Sequence, residues 1–279
     1  MKETRAEHLA VEKLRPFDGH PFKVVDNEEM DQLTWSILTQ GLLTPLVVRP
    51  LGNDEYEVIS GHRRLHACKK AGIETVPALI TDMDRDAAAI ALVDSNLQRE
   101  HILPSEKAYA YKLKLEAMNH QGRTSGQVGQ KWTRDEIAEG ESGRQVQRYI
   151  RLTNLIPGIL QKVDEGRIAL TPAVELSYLT DAEQEDLLET MESEDCTPSL
   201  SQAIQMKALS QSGQLDMDTI FHIMTQPKAN QQEKISFKVS ELRDFFPRHY
   251  TAAQMMQEII LAVKERQQRL QRQRNRDAR

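Results

Sequence analysis

The chain has 279 residues, of which 39% are hydrophobic and only 5% aromatic, and its formal net charge is −6. This length suffices for two or three domains with separate cores, and the acidic balance excludes a basic surface that coats nucleic acid along the whole chain. No apolar run approaches the roughly 18 residues that cross a bilayer, and two isolated cysteines, Cys68 and Cys196, fit a reducing compartment. We therefore expect a cytoplasmic protein without a membrane partner.

The first hundred residues predict a small sheet with helices around it. Residues 1–21 form a polar leader in which 11–17 could add a short edge strand. Asn27 and Gly41 are typical of the two ends of a helix, and the turn residues 52–54 separate two strands of a hairpin. The predicted helices are 27–41, 61–72 and 84–100, and the predicted strands are 42–49, 55–60 and 73–80.

The strongest local feature is the start of the second predicted helix, Gly61-His62-Arg63-Arg64. An apolar strand that turns at a glycine into a helix with two arginines in its first turn can hold an anion, because backbone N–H groups add to the guanidinium charge. A solvated basic helix start is the alternative. Asn96 and Arg99, three residues apart, would share a helical face and form a second anion-facing surface.

A helical region follows, and its first part contains two capping boxes close together. Those that begin at Thr133 and Ser142 leave room for a short helix at 134–139, a turn, and a second helix at 143–152, which is helix-turn-helix geometry. On the second helix Val146 and Ile150 face inward. The opposite face carries Arg144, Gln147, Arg148 and Arg151. Arginine and glutamine are side chains that contact base edges and phosphates, so this face would bind DNA; the alternative is an ordinary solvated face.

The flanking segments complete a three-part organisation. A Gly/Ser-rich stretch at 121–129 predicts a flexible loop, and packing helices are expected at 159–163, 174–179 and 181–194. A strand at 234–239 and a helix at 251–270 predict a dimerisation element with a basic tail. We therefore predict an α+β domain at 1–102, an all-α helix-turn-helix DNA-binding domain at 103–212, and a linker with a small strand-helix dimerisation region at 213–279.

With these motifs placed, the chain resembles the ParB family of chromosome and plasmid partition proteins, in its plasmid or mobile-element type. The resemblance covers roughly residues 11–180. It rests on ordered motifs at 41–49, 61–64, 96–100 and 103–108, followed by the helix-turn-helix pattern.

The resemblance implies a ParB-like nucleotide-binding domain and a CTP-dependent clamp on DNA. Its partners would be double-stranded DNA with a centromere-like site, a ParA-like ATPase and a second copy of the chain, in association with the nucleoid. CTP with Mg²⁺ would be the cofactor, and Asn96 the side chain at the metal. The implied nucleotide-binding residues are Thr44, Pro45, Arg49, Gly61, His62, Arg63, Arg64, Asn96, Arg99 and Glu100, and the DNA-binding residues are Ser142, Arg144, Gln145, Gln147, Arg148 and Arg151.

Two departures from the family pattern leave enzyme activity open, and no catalytic residue is assigned. His62 stands where glutamate is common, and Ser95 where a carboxylate is expected near the metal, so a CTPase of weak or absent turnover is one outcome. A helix-turn-helix regulator of transcription or replication without a nucleotide switch is a rival. A sulfiredoxin- or kinase-like enzyme on the same fold is another, although no cysteine stands beside the arginines. We expect His62, His66 and Cys68 to be exposed and unliganded.

Overall fold

A computed structural model of the chain describes residues 4–99, 101–124, 141–226, 242–247 and 249–277. It contains two compact units, Met1–Gln226 and Pro227–Arg279. This division does not test the predicted boundaries after residues 102 and 212, which stay predictions. The predicted α+β character of the N-terminal region is confirmed, and the described residues from Pro104 onward are helical.

A five-stranded mixed sheet forms the centre of the N-terminal region. The strands are β1 (Thr4–Ala10), β2 (Leu14–Pro16), β3 (Leu46–Gly52), β4 (Glu55–Ser60) and β5 (Thr75–Thr81), in the order β1-β5-β3-β4-β2. β1 pairs with β5 and β3 with β4 antiparallel, while β5 with β3 and β4 with β2 are parallel. The predicted edge strand is present as β2, after a 3-10 turn at Val11–Lys13.

The interpretation of residues 1–21 as a polar leader was wrong, because β1 is a full edge strand of the sheet. Its register runs from Thr4 opposite Thr81 to Ala10 opposite Thr75. Only Leu9 among its side chains is buried, and backbone hydrogen bonds hold the rest of the strand. An exposed edge strand carries no alternation of apolar and polar residues, so no pattern marked it in the sequence.

The predicted hairpin is confirmed as β3 and β4. The two residues that join the strands, Asn53 and Asp54, have φ values of 51° and 62°. Left-handed backbone at both positions is the conformation of a type I′ turn, which Asn and Asp tolerate best among non-glycine residues. The hairpin fixes the position of Ser60, the last strand residue before the basic helix start.

Three helices pack on the sheet: α1 (Glu28–Gln40), α2 (His62–Lys70) and α3 (Arg85–Leu97). The predicted ends of α1 are confirmed, since the Asn27 side chain accepts a hydrogen bond from the Met30 N–H at 3.0 Å and Gly41 follows the last turn. α3 ends earlier than predicted, at Leu97. Of residues 87, 90, 91 and 93, which the sequence pattern predicts on the inner face, Val93 is buried and the other three are only partly buried, because the apolar run 87–93 offers no polar residue to mark the outside. The buried residues are Ala88, Ala89, Leu92, Val93 and Asn96.

In the described residues between Pro104 and Thr225, seven helices form the helical part of the first unit. They are α4 (Pro104–Thr124), α5 (Gly143–Arg151), α6 (Pro157–Asp164), α7 (Leu170–Leu176), α8 (Asp181–Ser193), α9 (Leu200–Gln211) and α10 (Met217–Thr225).

α4 belongs to two cores. Ala108 joins the core of the later helices, whereas Ala110 and Ala117 join the core beneath α3. The helix continues through Thr124, so the predicted loop at 121–129 was wrong in its first residues. The predicted first helix of the helix-turn-helix, at 134–139, lies outside the described residues. The predicted second helix is present as α5.

The second unit contains a 3-10 turn at Arg243–Phe245 and one long helix, α11 (Ala252–Asp277). The predicted strand at 234–239 lies outside the described residues. Among the apolar residues of α11, Met255 is buried, whereas Ile260 and Val263 are 47% and 59% exposed. Within the described part of the chain, no helix combines the length and the apolar character that crossing a membrane requires.

Candidate functional site

The basic start of α2 depends on one glycine. Gly61 has a φ of 104°, and a Cβ atom added there would lie 2.5 Å from Leu46 Cδ2 and 3.1 Å from a terminal guanidinium nitrogen of Arg64. Both the left-handed backbone and the contact with Leu46 therefore favour glycine. The helix that follows has no acidic residue in its first turn, so the partial positive charge of the helix start is not offset there.

Arg64 turns back from α2 toward the loop that precedes β3. Its Nη1 atom donates to the carbonyl oxygens of Thr44 at 2.5 Å and Pro45 at 3.0 Å. The side chain is half-buried, and this burial lowers the pKa of the guanidinium. Arg64 thereby joins two of the motifs that the sequence singled out, and it brings Thr44, Pro45 and Gly61 into one place.

Two further arginines share the surface beside this helix start. Arg63 pairs with Glu29 at 3.0 Å between Nη2 and Oε2, with both side chains exposed. The Arg99 guanidinium lies 5.7 Å from the centroid of the Phe22 ring. Partial burial lowers the pKa of Arg99 most, the charge of Arg63 lowers it further, and Glu106 opposes both. Two guanidinium groups that repel each other make a surface on which an anion is stabilising.

His62 is buried, so the expectation that it is exposed was wrong. Its Nε2 atom accepts a hydrogen bond from the Phe17 N–H at 3.2 Å, and its ring centroid lies 3.7 Å from that of His20. Burial, then the charges of His20 and Arg99, lower the pKa of His62 to about 3, and a backbone hydrogen bond with Val58 acts in the opposite direction. The imidazole is therefore neutral near pH 7, and it does not serve as a cationic phosphate ligand.

Cys68 is also buried, contrary to expectation, and burial raises the pKa of its thiol. His66 is half-buried, and its Nε2 atom lies 3.0 Å from the Asp26 carboxylate. Across the described residues, no group of three or more His, Cys, Asp or Glu side chains is placed to hold a metal ion.

Arg49 lies in a buried ion pair. Its Nε atom is 2.6 Å from Glu57 Oε2, and the Asp18 N–H donates to the other carboxylate oxygen at 3.2 Å. Both side chains are shielded from water, so Glu57 is the immediate partner of the Arg49 charge. The predicted nucleotide contact of Arg49 competes with this pair, and no sequence pattern indicated that Glu57 would be buried.

Asn96 does not share a helical face with Arg99, because α3 ends between them at Leu97. Asn96 is 4% exposed, and its Nδ2 atom donates to the Leu92 carbonyl at 2.7 Å. Asp94, which could have replaced the missing carboxylate, pairs with Lys114 at 2.6 Å. Glu100 lies outside the described residues. A buried Asn96 whose amide donates to a carbonyl of its own helix does not fit the role of a Mg²⁺ ligand.

The basic face of α5 divides into two pairs of residues. Arg144 and Gln147 are exposed, and Ser142 caps the helix by accepting from the Gln145 N–H at 3.3 Å. Arg148 donates to Thr171 Oγ1 at 2.6 Å and to Gln145 Oε1 at 3.2 Å.

Arg151, the last of these residues, is held by α7 and the residues that follow it. It donates to the Ser177 carbonyl at 3.1 Å, and its guanidinium carbon lies 3.8 Å from the Tyr178 ring centroid. Val146, predicted to face inward, is buried.

Several residues that shape the site were missed in the sequence: His20 and Phe22 beside His62 and Arg99, Glu57 beside Arg49, and Tyr178 beside Arg151. Their contacts join residues far apart in the chain. The only local signal was the aromatic spacing around the turn at 17–22, which alone does not identify a ligand site.

Comparison with known proteins identifies the N-terminal region. Residues 1–97 match the family model described as the ParB N-terminal domain. The probable chromosome 1-partitioning protein ParB of Deinococcus radiodurans is 36% identical over 171 residues, which cover 61% of this chain and 55% of that protein. The chromosome-partitioning protein Spo0J of Thermus thermophilus is 37% identical over 181 residues, which cover 64% and 61%. The chain therefore matches less than two thirds of the length of these two relatives.

A solved structure of the C-terminally truncated chromosome-partitioning protein ParB from Caulobacter crescentus, complexed to the centromeric parS site, gives a TM-score of 0.43. It is 23% identical and covers 74% of this chain and 99% of that one. No conclusion rests on this low score. The family model and the curated relatives support the resemblance seen in the sequence: residues 1–97 match the ParB N-terminal domain, and the chain is similar to ParB partition proteins over about two thirds of its length.

Proposed function

We propose that the chain is a site-specific DNA-binding partition protein that acts as a CTP-dependent clamp in the segregation of a chromosome, plasmid or mobile element. The observation that carries the proposal is the cluster of Arg63, Arg64 and Arg99 around the start of α2 in a ParB N-terminal domain. The relatives are named for chromosome partition. A positive surface at a helix start fits a polyphosphate, and the family resemblance supplies cytosine as the base.

Within the proposed site, each arginine has a distinct position. Arg64 holds the Thr44–Pro45 segment, which the resemblance assigns to the base and sugar, against the helix start that would receive the phosphates. Arg63 and Arg99 repel each other, and a bound triphosphate would relieve that repulsion. Mg²⁺ would accompany the nucleotide and neutralise part of the phosphate charge.

The DNA-binding half of the proposal rests on α5. Arg144 and Gln147 lie on its exposed side, where they could contact base edges in a major groove. Arg148 and Arg151 would contribute positive charge from positions fixed by Thr171 and Ser177. A centromere-like DNA site is the proposed partner, and the protein would be cytoplasmic and associated with the nucleoid.

The proposed assembly is a homodimer that works with a ParA-like ATPase. The exposed stripe of Met256, Ile260 and Val263 on α11 supports the dimer, because a second copy of the same helix would remove this apolar surface from water. The ATPase is proposed from the family resemblance alone.

Calorimetric titration with CTP, ATP, GTP and UTP in the presence of Mg²⁺ tests the nucleotide site. We expect CTP to bind tightest, and Arg63→Ala to weaken binding by about a hundredfold through loss of a charged phosphate contact of roughly 2–3 kcal/mol. Arg167→Ala is the matched control, because that arginine pairs with Asp195 on the surface of the helical part. Equal affinity for all four nucleotides would reject the CTP switch.

The clamp itself needs a second experiment on DNA. The chain is loaded on closed circular DNA and on linear DNA of the same sequence, both carrying the genomic fragment that it retains best. When CTP is present, a sliding clamp should stay on the closed circle and run off the open ends of the linear molecule. Without CTP, the two DNA molecules should not differ in this way. Equal retention on both, with or without CTP, would favour a simple helix-turn-helix regulator.

A further inference from the structure

Three aromatic rings lie in a row beside the proposed phosphate site. The His62 ring centroid is 3.7 Å from that of His20, and the His20 centroid is 5.7 Å from that of Phe22 in an edge-on arrangement. The Arg99 guanidinium lies 5.7 Å from the Phe22 ring. The turn that carries His20 is closed by its own N–H, which donates to the Phe17 carbonyl at 3.1 Å. The row therefore runs from the first residue of α2 to Arg99.

His62 has the geometry of a residue that holds this turn in place. Its Nε2 atom accepts from the Phe17 N–H, so in the neutral ring the proton belongs on Nδ1. A proton on Nε2 would remove the bond to Phe17. His62 thus stays neutral, and it fixes both the backbone of the turn and the stacked ring of His20.

His20 is placed differently, since it is only half-buried. The groups that act on it are the neutral His62 ring, the backbone of Phe22 and the Arg99 guanidinium, and among the described residues no carboxylate acts on it. Burial first, and the Arg99 charge second, lower the pKa of His20 below its ordinary value. A bound polyphosphate would reverse the local potential, because its negative charge favours the imidazolium form.

We propose that His20 is a further ligand of the anion bound at this site, that His62 is the residue that positions it, and that His20 takes up a proton when the anion binds. This inference uses the proposed phosphate site, but it does not depend on CTP being the preferred nucleotide. It predicts the direction in which the affinity for a polyphosphate changes with pH. His20 is neutral in the unliganded protein at pH 7–8, so affinity for a polyphosphate rises as the pH falls from 8 to 6, by at most about tenfold per pH unit.

Proton uptake is measured by calorimetry with tripolyphosphate, and separately with CTP, in buffers of different ionisation enthalpy at pH 6.5 and 8. His20→Gln keeps a side chain of similar reach that cannot titrate. His66→Gln is the matched control, because the half-buried His66 ring pairs with Asp26 rather than with the row of rings. The phosphates also bind protons, but equally for all three proteins, so the difference between variants isolates His20. We expect His20→Gln to lose about half a proton of uptake at pH 6.5 and to bind five- to twentyfold more weakly there.

The positioning role is tested with two substitutions of His62. His62→Gln can still accept a hydrogen bond from the Phe17 N–H and should retain the proton uptake, whereas His62→Leu cannot and should lose it. If His62→Leu does not fold, NMR titration of the His20 ring in the wild-type chain replaces it. We then expect the pKa of His20 to rise on addition of tripolyphosphate, and an unchanged pKa would reject the inference.

The outcomes separate this inference from the proposed function. Proton uptake that depends on His20, without any preference for CTP, would support the inference and reject the CTP switch. Preferential CTP binding with the same uptake and affinity in His20→Gln would reject the inference alone. Absence of binding by both tripolyphosphate and CTP would overturn both.

Discussion

The start of α2 and the exposed side of α5 are both arginine-rich helical surfaces, but the protein holds them in different ways. At α2, a left-handed glycine, a buried histidine and two backbone carbonyls determine where the side chains lie. At α5, the helix itself is regular, and its arginines differ only in whether a neighbouring helix reaches them. A charge pattern therefore predicts which face is basic, whereas tertiary contacts decide which arginines are already oriented.

Tyr178 shows how α5 is tied to its neighbours. Its ring is contacted by Arg151 at 3.8 Å and by Lys207 of α9 at 3.7 Å, and Lys207 in turn pairs with Glu175 at 2.8 Å. Two cations on one aromatic ring stabilise the arrangement of α5, α7 and α9. Arg151 thus contributes to the shape of the proposed DNA-binding surface as well as to its charge.

The largest expected effect comes from Gly61→Ala, which attacks the backbone on which the α2 surface depends. The added methyl would meet Leu46 Cδ2 at 2.5 Å in a left-handed conformation, so we expect the free energy of unfolding to fall by roughly 2–4 kcal/mol and tripolyphosphate binding to be lost. Gly72→Ala is the control, because it has a φ of 69° with no atom within 4 Å. Urea unfolding that gives equal losses for the two variants would contradict the importance of the Leu46 contact.

The next prediction compares two arginines of α5 by their effects on stability and on DNA binding. We expect Arg151→Ala to lower the free energy of unfolding by about 1–2 kcal/mol, through loss of the Ser177 hydrogen bond and the Tyr178 contact. Arg144→Ala, at an exposed position, should leave stability within about 0.5 kcal/mol of wild type. It should weaken binding to the retained DNA fragment by at least tenfold, a loss of roughly 1–3 kcal/mol.

Thermal unfolding and gel shifts of both variants check this division. If Arg144→Ala is destabilised as much as Arg151→Ala, then exposure does not distinguish their roles. If Arg144→Ala binds the fragment like wild type, the proposed DNA-reading face of α5 is wrong.

Much of the fold could be predicted where local chemistry determines it. Asn27 and Gly41 marked both ends of α1, and the turn residues Asn53 and Asp54 marked the hairpin. β1 escaped prediction because its only buried side chain is Leu9. Edge strands of this kind are held by backbone hydrogen bonds, which leave no pattern of side chains.

The candidate site was predictable in its arginines and not in their surroundings. Gly61, Arg63 and Arg64 are adjacent in sequence, and their chemistry alone indicated an anion site. The burial of His62 could not be seen, because it depends on Phe17 and His20, more than forty residues away. The predicted anion-facing position of Asn96 was wrong for a related reason: its side chain donates a hydrogen bond to the Leu92 carbonyl of its own helix.

A third prediction concerns the pH dependence of the free energy of unfolding. It tests whether the α2 surface depends on a buried neutral histidine, which the exposed side of α5 lacks. The pKa of His62 is about 3 in the folded chain and about 6.5 when unfolded. The unfolded state therefore binds the extra proton between these values, and stability falls as the pH decreases from 6.5 toward 3. The slope is at most about 1.4 kcal/mol per pH unit.

The comparison variant is His62→Gln, which keeps an acceptor for the Phe17 N–H but does not titrate. Carboxylates add their own acid dependence to both proteins, so the difference between the two curves of unfolding free energy against pH is the informative quantity. We expect wild type to lose stability relative to His62→Gln below pH 6.5. Parallel curves would show that His62 is protonated in the folded protein.

The last prediction concerns Asp164, which forms a buried contact within the helical part and an exposed ion pair with Lys23 of the N-terminal region. The Asp164 carboxylate, at the end of α6, accepts from the Ser105 N–H at 2.9 Å and the Ser105 hydroxyl at 2.6 Å, and it lies 3.4 Å from Lys23 Nζ. Ser105 is buried at the start of α4, whereas Lys23 is exposed. We expect Ser105→Ala to lower the free energy of unfolding by about 1–2 kcal/mol, because a buried carboxylate oxygen loses its donor.

Lys23→Gln should change that free energy by less than about 0.5 kcal/mol, since an exposed ion pair contributes little. Urea unfolding of both variants in low and high salt distinguishes the two contributions, because added salt screens the Lys23 pair far more than the buried hydrogen bond. A larger loss in Lys23→Gln would mean that the ion pair across the two regions, rather than the buried serine, supplies most of the stabilisation at Asp164. In that case the link between the N-terminal region and the helical part would weaken with ionic strength.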